Sequence, residues 1–474
     1  MQKCSYFPLC LFLIALLIGL FFINEGLFHY DAIALAQAVE KTFQTGSLQP
    51  AINGRYGSVI LASITYAPFW LAGKNADVAV RLTAVIWYAL SIVFFYFFLF
   101  NLFSSSIIAA YASLFFLSAP IYISPNTFGK EHGMALAFFF MACYLLFVAE
   151  KKHWVYGVSS AVLVFSLMVR EAVLVLVPFY FVLLFMQKTS FKTRMIYCIV
   201  PLILFFSLIF FSYFSFIIEK TLFPTQTGTA YFFFSTRLIG KGLFALWKTA
   251  PVLFLIASLA GAVIGLKRMF GRTFFFIAWF IVTFSVFVNN STFVPRYLDS
   301  TVAALCVLAA IGITVVHKMN KYAGVAFGVL IAVWSFVLIE PVLAYRHAYG
   351  GPMHFGQFVG NITRPDDIII AQDDASFISY YGNRSSVGIP IGNKTAAEIF
   401  IADIQEKLLQ GRNVYLTQTA FVYDPGDINQ KLVSSAFKVE KRFVVETEAS
   451  HIADIELVRY KHVISKLKLR NNNS

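Results

Sequence analysis

Asp31 is the residue whose type and setting best suit chemistry in this sequence. It stands in a polar stretch, NEGLFHYDAIALAQAVEKTFQTGSLQPAINGRYG at 24–57, directly after a first apolar run. Two readings are open for such a carboxylate. At a helix start it caps free backbone N–H groups; beside a substrate hydroxyl it serves as a general base. Further ionisable residues sit in other polar breaks between apolar runs. These are Arg55, then Lys130 and Glu131 in ISPNTFGKE, Arg170 and Glu171 at one junction, Arg237 and Lys241 in TQTGTAYFFFSTRLIGKG, and Arg296 in NSTFVPR. A charge at mid-membrane costs up to about 3 kcal/mol, so charge gathered at the edge of hydrocarbon makes a functional candidate. Each has a plainer reading too. Arg296 beside Tyr297 suits an interfacial anchor, Arg170 and Glu171 can pair with each other, and Glu131 can cap a helix beginning at His132. One His next to one Glu is a weak metal signal, so no metal ligands are assigned and a divalent cation stays a minor alternative.

The elements that must position these groups are mostly membrane helices. Hydrophobic residues make up 59% of the chain and charged ones only 13%, with a mean hydropathy of +0.74, which excludes a soluble globular protein. Apolar stretches of spanning length lie near 6–23, 81–100, 106–122, 132–149, 154–170, 171–186, 195–217, 251–266, 273–289, 298–316 and 322–343, about eleven in all. A shorter run at 58–72 carries Pro68. Lys151, Lys152, Lys188, Lys192, Arg194, Lys267, Arg268, Arg272, Lys318 and Lys321 all fall on the cytoplasmic side if 58–72 only dips into the membrane. That topology sends the Asp31 loop and the other candidates to the outer face of a multi-pass plasma-membrane protein. After Asp31, Gln37, Glu40, Lys41 and Gln44 recur at i, i+3, i+4 and i+7, as in a helix lying along a membrane surface. Gly46 is its expected stop.

Charge and cysteine usage narrow the class. Residues 1–343 hold 22 Lys+Arg against 10 Asp+Glu, whereas 344–474 hold 15 against 14. The net charge of +13 therefore belongs to the membrane part as loop charge, with no nucleic-acid signal. The five cysteines all precede residue 307 and show no paired metal-ligand spacing. From 344 to 474 short apolar runs alternate with helical ones, which predicts a small α/β domain on the outer side. Its basic tail, KHVISKLKLRNNNS, is expected to fray.

The ordered set HYDAIALAQAVEKTF, GRYGSVILASITYAPFWLAG, VRLTAVIWYALSIVFFYFFLF, SAPIYISPNTFGKEHGMALAFFFMACYLL, VREAVLVLVPFYF and PRYLDSTVAALCVLAAIGI resembles the GT-C superfamily of membrane glycosyltransferases. That superfamily includes protein O-mannosyltransferases, aminoarabinose-to-lipid A transferases and oligosaccharyltransferase catalytic subunits. The resemblance covers nearly all of 6–343. It implies a polytopic helical fold with a half-embedded helix in the first outer loop. It also implies inverting transfer of one sugar from a polyprenyl-phosphate donor, among membrane lipids, to an envelope glycan, glycolipid or protein hydroxyl. Asp31 matches the superfamily's essential acid, and Glu131 the acid opening a later span, with Glu171 a further secondary acid. Many relatives carry an acidic pair where this chain has Tyr30 and Ala32 around Asp31, which weakens a paired-carboxylate metal site. The departing phosphate needs positive charge more than a proton donor. Arg55, Arg170 and Arg296 are the first choices because a guanidinium binds two phosphate oxygens, with Lys130, Arg237 and Lys241 behind them. The loop 218–250, with Tyr231–Phe234 and hinges at Gly228 and Gly240, would be a lid over the lipid carrier. Two alternatives are an oligosaccharide ligase or polymerase using a diphosphate carrier, and a transporter of lipid-linked sugar. The second predicts charged positions deep in the spans and near-symmetric halves; neither is evident here.

Overall fold

The computed structural model describes residues 6–150, 152–187, 190–205, 236–288, 295–391, 393–421, 424–448 and 459–470. Among these, five helices are long and apolar enough to cross a membrane: Asp77–Phe103, His132–Ala149, Phe270–Val288, Pro295–Met319 and Lys321–Ile362. The number rises to seven if each of two bent pairs is one span. The expected eleven are therefore not all single long helices, and the reasons are local. The stretch 106–122 divides into Ser106–Ser118 and Pro120–Asn126, bent by 58°, because Pro120 cannot continue the hydrogen-bond ladder and starts a new helix instead. The stretch 171–186 opens as a 3-10 segment, Glu171–Leu176, before the helix Val177–Phe185. The stretch 195–217 runs out of the described residues, and 322–343 is part of the longer helix Lys321–Tyr349.

Helix Asp77–Phe103 is the centre of the bundle. It packs against Phe7–Phe21, Ser106–Ser118 and His132–Ala149, with aromatic rings filling the seams. The Phe95 and Phe140 centroids are 4.7 Å apart, and Phe116 stacks on Tyr122 at 4.0 Å. Such contacts make the scaffold stiff around the polar groups it carries.

Two helices in the first loop hold the candidate site. Tyr30–Thr45 ends at Gly46, whose φ of 67° is the left-handed conformation a C-terminal glycine allows. Its Ala32, Ile33, Ala36 and Val39 are buried against Val59, Ala62, Tyr66, Val80 and Phe377. The polar face expected to meet water is partly covered as well. Glu40 accepts hydrogen bonds from the Ala76 N–H and from the Tyr380 hydroxyl, both at 2.8 Å. This helix is thus sandwiched by protein, because a later helix, Ala375–Gly382, lies across it. The second helix, Tyr56–Leu71, is continuous with Pro68 inside it. Gly57 allows its start to press on helix Trp154–Val169, since a Cβ there would sit 2.7 Å from the Val169 nitrogen.

Beyond Ile362 a four-stranded sheet forms in the order β1-β2-β4-β3, with β1 Ile368–Ile370, β2 Val414–Thr417, β3 Phe437–Glu448 and β4 Arg459–Leu469. β1 and β2 are parallel, and the other two pairs antiparallel. The tail expected to fray is instead strand β4. Its Ile464 and Leu467 are buried in separate apolar clusters, so both faces of the strand are packed, and Lys466 pairs with Glu440 at 3.2 Å. Asp374 is buried at the start of Ala375–Gly382 and accepts a 2.8 Å hydrogen bond from Thr419.

Candidate active site

Three consecutive side chains, Lys130, Glu131 and His132, form the hub of the site, and each meets a different element. The backbone around them is shaped by two glycines. Gly129 adopts φ +93°, a conformation side chains rarely take. At Gly133 a Cβ would lie 2.6 Å from Asn126 Oδ1 and 2.8 Å from the Tyr88 backbone, so helix His132–Ala149 can start there only with hydrogen in that place. Asn126 Oδ1 also accepts the Gly133 N–H at 2.8 Å.

Lys130 is buried and donates from Nζ to Asp31 Oδ2. Arg55 Nη1 approaches the same carboxylate oxygen at 3.9 Å. Burial pushes the Asp31 carboxyl up, but Lys130, His29 and Arg55 together outweigh it and hold it well below the usual carboxylate range. Burial pulls the Lys130 ammonium down to about 8, against the pull of Asp31. The N-cap position belongs to His29, and Asp31 is the second residue of its helix, so the plain capping reading of Asp31 does not describe its side chain.

Arg55 is the keystone. It donates from Nη1 to Glu131 Oε1 at 3.0 Å, from Nε to Glu171 Oε2 at 2.8 Å and from Nη2 to Glu171 Oε1 at 2.6 Å. These bonds tie the first loop to the start of His132–Ala149 and the end of Trp154–Val169, where Gly57 has already brought the backbones together. Burial favours the neutral form of Arg55, and Glu131, Glu171 and Asp31 reverse that, raising its pKa well above the ordinary value.

Arg296 donates from Nη2 to His29 Nε2 at 2.8 Å. An arginine can only donate, so Nε2 holds the lone pair and Nδ1 the proton. His29 Nδ1 lies 3.2 Å from the Asp31 backbone nitrogen and 3.8 Å from Asp31 Oδ2. Burial, Lys130 and Arg296 keep the His29 pKa well below its ordinary value, so the ring is neutral. Arg296 and Arg170 share the Tyr297 ring, their guanidinium carbons 5.6 Å and 5.8 Å from its centroid. The third hub residue, His132, pairs through Nδ1 with Asp299 Oδ2 at 2.6 Å.

Asp31, Arg55, Lys130, Glu131, Glu171 and Arg296 are thus brought together, and Arg170 reaches the same region through Tyr297. Lys241 is exposed on helix Thr236–Thr249. The Arg237 side chain and the stretch 218–235, with the proposed hinge and aromatic face of the lid, lie outside the described residues. Among the described residues no group of three or more His, Cys, Asp or Glu side chains converges as a metal site. The Asp31 and Glu131 carboxylates already face cations of this chain, so the donor set does not fit a resident divalent ion. Sequence reasoning assigned no role to His29 and Asp299. The first precedes Asp31 in HYDAIA and the second opens an apolar run after PRYL, the signals that could have flagged them.

A family model described as dolichyl-phosphate-mannose-protein mannosyltransferase matches residues 60–214. The fold is similar to three solved membrane glycosyltransferases. The archaeal oligosaccharyltransferase AglB from Archaeoglobus fulgidus, in complex with an inhibitory peptide and a dolichol-phosphate, superposes with a TM-score of 0.58 at 14% identity, over 92% of this chain and 73% of that one. ArnT from Cupriavidus metallidurans, bound to undecaprenyl phosphate, gives 0.51 at 13% identity over 98% of both chains. Arabinofuranosyltransferase AftD from Mycobacteria gives 0.55 at 11% identity, over 98% of this chain and 42% of that one. The chain has the fold shared by these membrane glycosyltransferases, and a third of it matches the mannosyltransferase model. At these identities the structural likeness is one of fold, and no curated protein sequence matches. The chain is a polytopic helical membrane protein, with its charged hub where the first loop meets the bundle.

Proposed function

We propose that this protein moves a single sugar from a polyprenyl-phosphate donor to an acceptor hydroxyl on the non-cytoplasmic face, with inversion and with Asp31 as base. The observation that carries the reading is the buried Asp31–Lys130 contact with Arg55 at 3.9 Å and Arg296 one histidine away. A carboxylate facing cations is what displacement of a phosphate leaving group by a hydroxyl requires. Solved relatives of the same fold carry dolichol-phosphate or undecaprenyl phosphate, which supports a lipid-linked donor.

The acceptor hydroxyl attacks the anomeric carbon and gives its proton to Asp31, while the bond from that carbon to the phosphate oxygen breaks and the carrier phosphate departs. Asp31 is a weak base while Lys130 holds it. A bound phosphate competes for the Lys130 ammonium, so donor binding itself frees the carboxylate to act. Arg55 has its fork filled by Glu131 and Glu171, so its work is to hold the loops. Lys130, Arg296 and Arg170 then meet the phosphate. The eleven crossings, and the division into a membrane part at 1–343 and an outer α/β part at 344–474, belong to this reading.

Asp31→Asn is expected to lower transfer by about 10²–10⁴-fold while carrier binding persists. A variant that transfers at the normal rate removes the proposed base. Cysteines introduced at exposed Ser47 and Ser385 should label from outside the cell; labelling of either from the cytoplasm overturns the topology.

A further inference from the structure

Three buried polar atoms around the hub have no hydrogen-bond partner among the described residues: Glu131 Oε2, His132 Nε2 and Arg170 Nη1. Glu131 and His132 are each 1% exposed and Arg170 is 7% exposed. An unmet buried polar atom costs about 1–3 kcal/mol, so three in one region need an explanation. Their surroundings fix their chemistry. Asp299 Oδ1 accepts the Ser300 N–H at 2.6 Å, and Oδ2 faces His132 Nδ1 at 2.6 Å. With Nδ1 so engaged, Nε2 is the ring nitrogen left to meet a ligand, as acceptor in one tautomer and donor in the other. Glu131 is held through Oε1 by Arg55, so Oε2 remains an acceptor. Arg170 acts electrostatically on both His132 and Asp299, is steadied by the Tyr297 ring, and offers a donor at Nη1.

A carboxylate oxygen, an imidazole nitrogen and one guanidinium donor do not suit a phosphate, which offers lone pairs and would be repelled by Glu131. They suit hydroxyl groups, each of which donates and accepts.

We propose that Glu131 Oε2, His132 Nε2 and Arg170 Nη1 form a hydroxyl-reading subsite for the donor's sugar ring, with Asp299 as the residue that positions His132. The proposal rests on the transferase reading and adds the place where the sugar is recognised. It puts one tripeptide across both halves of the donor, with Lys130 at the phosphate and Glu131 and His132 at the sugar.

The test is a binding comparison on the full-length protein in detergent. The probes are citronellyl phosphate and its mannosyl, glucosyl, galactosyl and arabinosyl esters. The wild-type protein should bind at least one ester about tenfold or more tighter than the bare phosphate. His132→Asn keeps a polar group toward Asp299 but loses the Nε2 atom. It should lose about tenfold in affinity for that ester and stay within about twofold for the bare phosphate. Glu131→Gln, which alters charge and hydrogen bonding with little change in shape, should act the same way and serves if His132→Asn does not fold. No preference for any ester in the wild type, or full preference retained in the variants, overturns the subsite and leaves these atoms to solvent. The transferase reading fails separately, if the wild-type protein binds a sugar ester selectively yet Asp31→Asn has no effect on transfer.

Discussion

Replacing Lys130 by methionine removes the ammonium that faces Asp31 while keeping most of the stem. Lys130 is 1% exposed and the Asp31 side chain 14%, so the carboxylate left behind loses its closest counter-charge where little water reaches. Breaking one partner of a buried pair costs about 3–5 kcal/mol. Arg55 stays 3.9 Å from Asp31, which relieves part of the strain and sets the expected loss near the lower end, about 3 kcal/mol. The double variant Lys130→Met, Asp31→Asn takes both charges away, so its stability should return to within about 1 kcal/mol of wild type. The measurement is unfolding in mixed SDS–detergent micelles for the wild type, the two single variants and the double, which closes a double-mutant cycle. A coupling of about 2–3 kcal/mol is expected. On the proposed mechanism sugar transfer should be lost in all three variants, because Asp31→Asn removes the base and Lys130→Met removes the ammonium that meets the phosphate. If the two single losses simply add in the double variant, the two side chains do not pair as described, and the release of Asp31 by a bound phosphate has no basis.

Other perturbations probe the scaffold and the titration of the site. Gly133→Ala pushes a methyl group into Asn126 and the Tyr88 backbone and should cost about 1–3 kcal/mol as overpacking; normal thermal stability and activity would contradict the close contact. Tyr381→Phe deletes a hydroxyl that donates to Asp77 Oδ2 and accepts from the Leu27 N–H, both at 2.7 Å. That loss should cost about 1–3 kcal/mol and speed hydrogen exchange in residues 24–45, and unchanged exchange there would show that Ala375–Gly382 does not brace the first loop. Lys130 must carry its proton to grip phosphate, and burial holds it near 8, so kcat/KM should fall as pH rises through about 8. Asp31 is held well below the usual carboxylate range, so no acid limb from it is expected between pH 5 and 7. Lys130→Arg stays charged throughout and should abolish the alkaline limb in whatever activity it retains; a limb unchanged in that variant assigns it to another group.

Much of this protein is written locally in its sequence. The apolar runs, the helix that starts beside Asp31 and stops at Gly46, and the acid followed by His at 131–132 all follow from neighbours within a few residues, where period and capping operate. The breaks at Ala119–Pro120 and after Arg170 were within reach of the same rules, although run length alone hid them. What the sequence by itself left open is which charges meet. Lys130 finds Asp31 across 99 residues, Arg55 finds Glu171 across 116, and Tyr381 finds Asp77 across 304. No local pattern encodes such pairs, because they depend on how closely two helices cross, and that is decided by single positions such as Gly57 against Val169 and Gly133 against Tyr88. The same holds for Arg55. By type it suits a phosphate, and only the tertiary structure brings two carboxylates to its fork, so that it ties the first loop to the bundle.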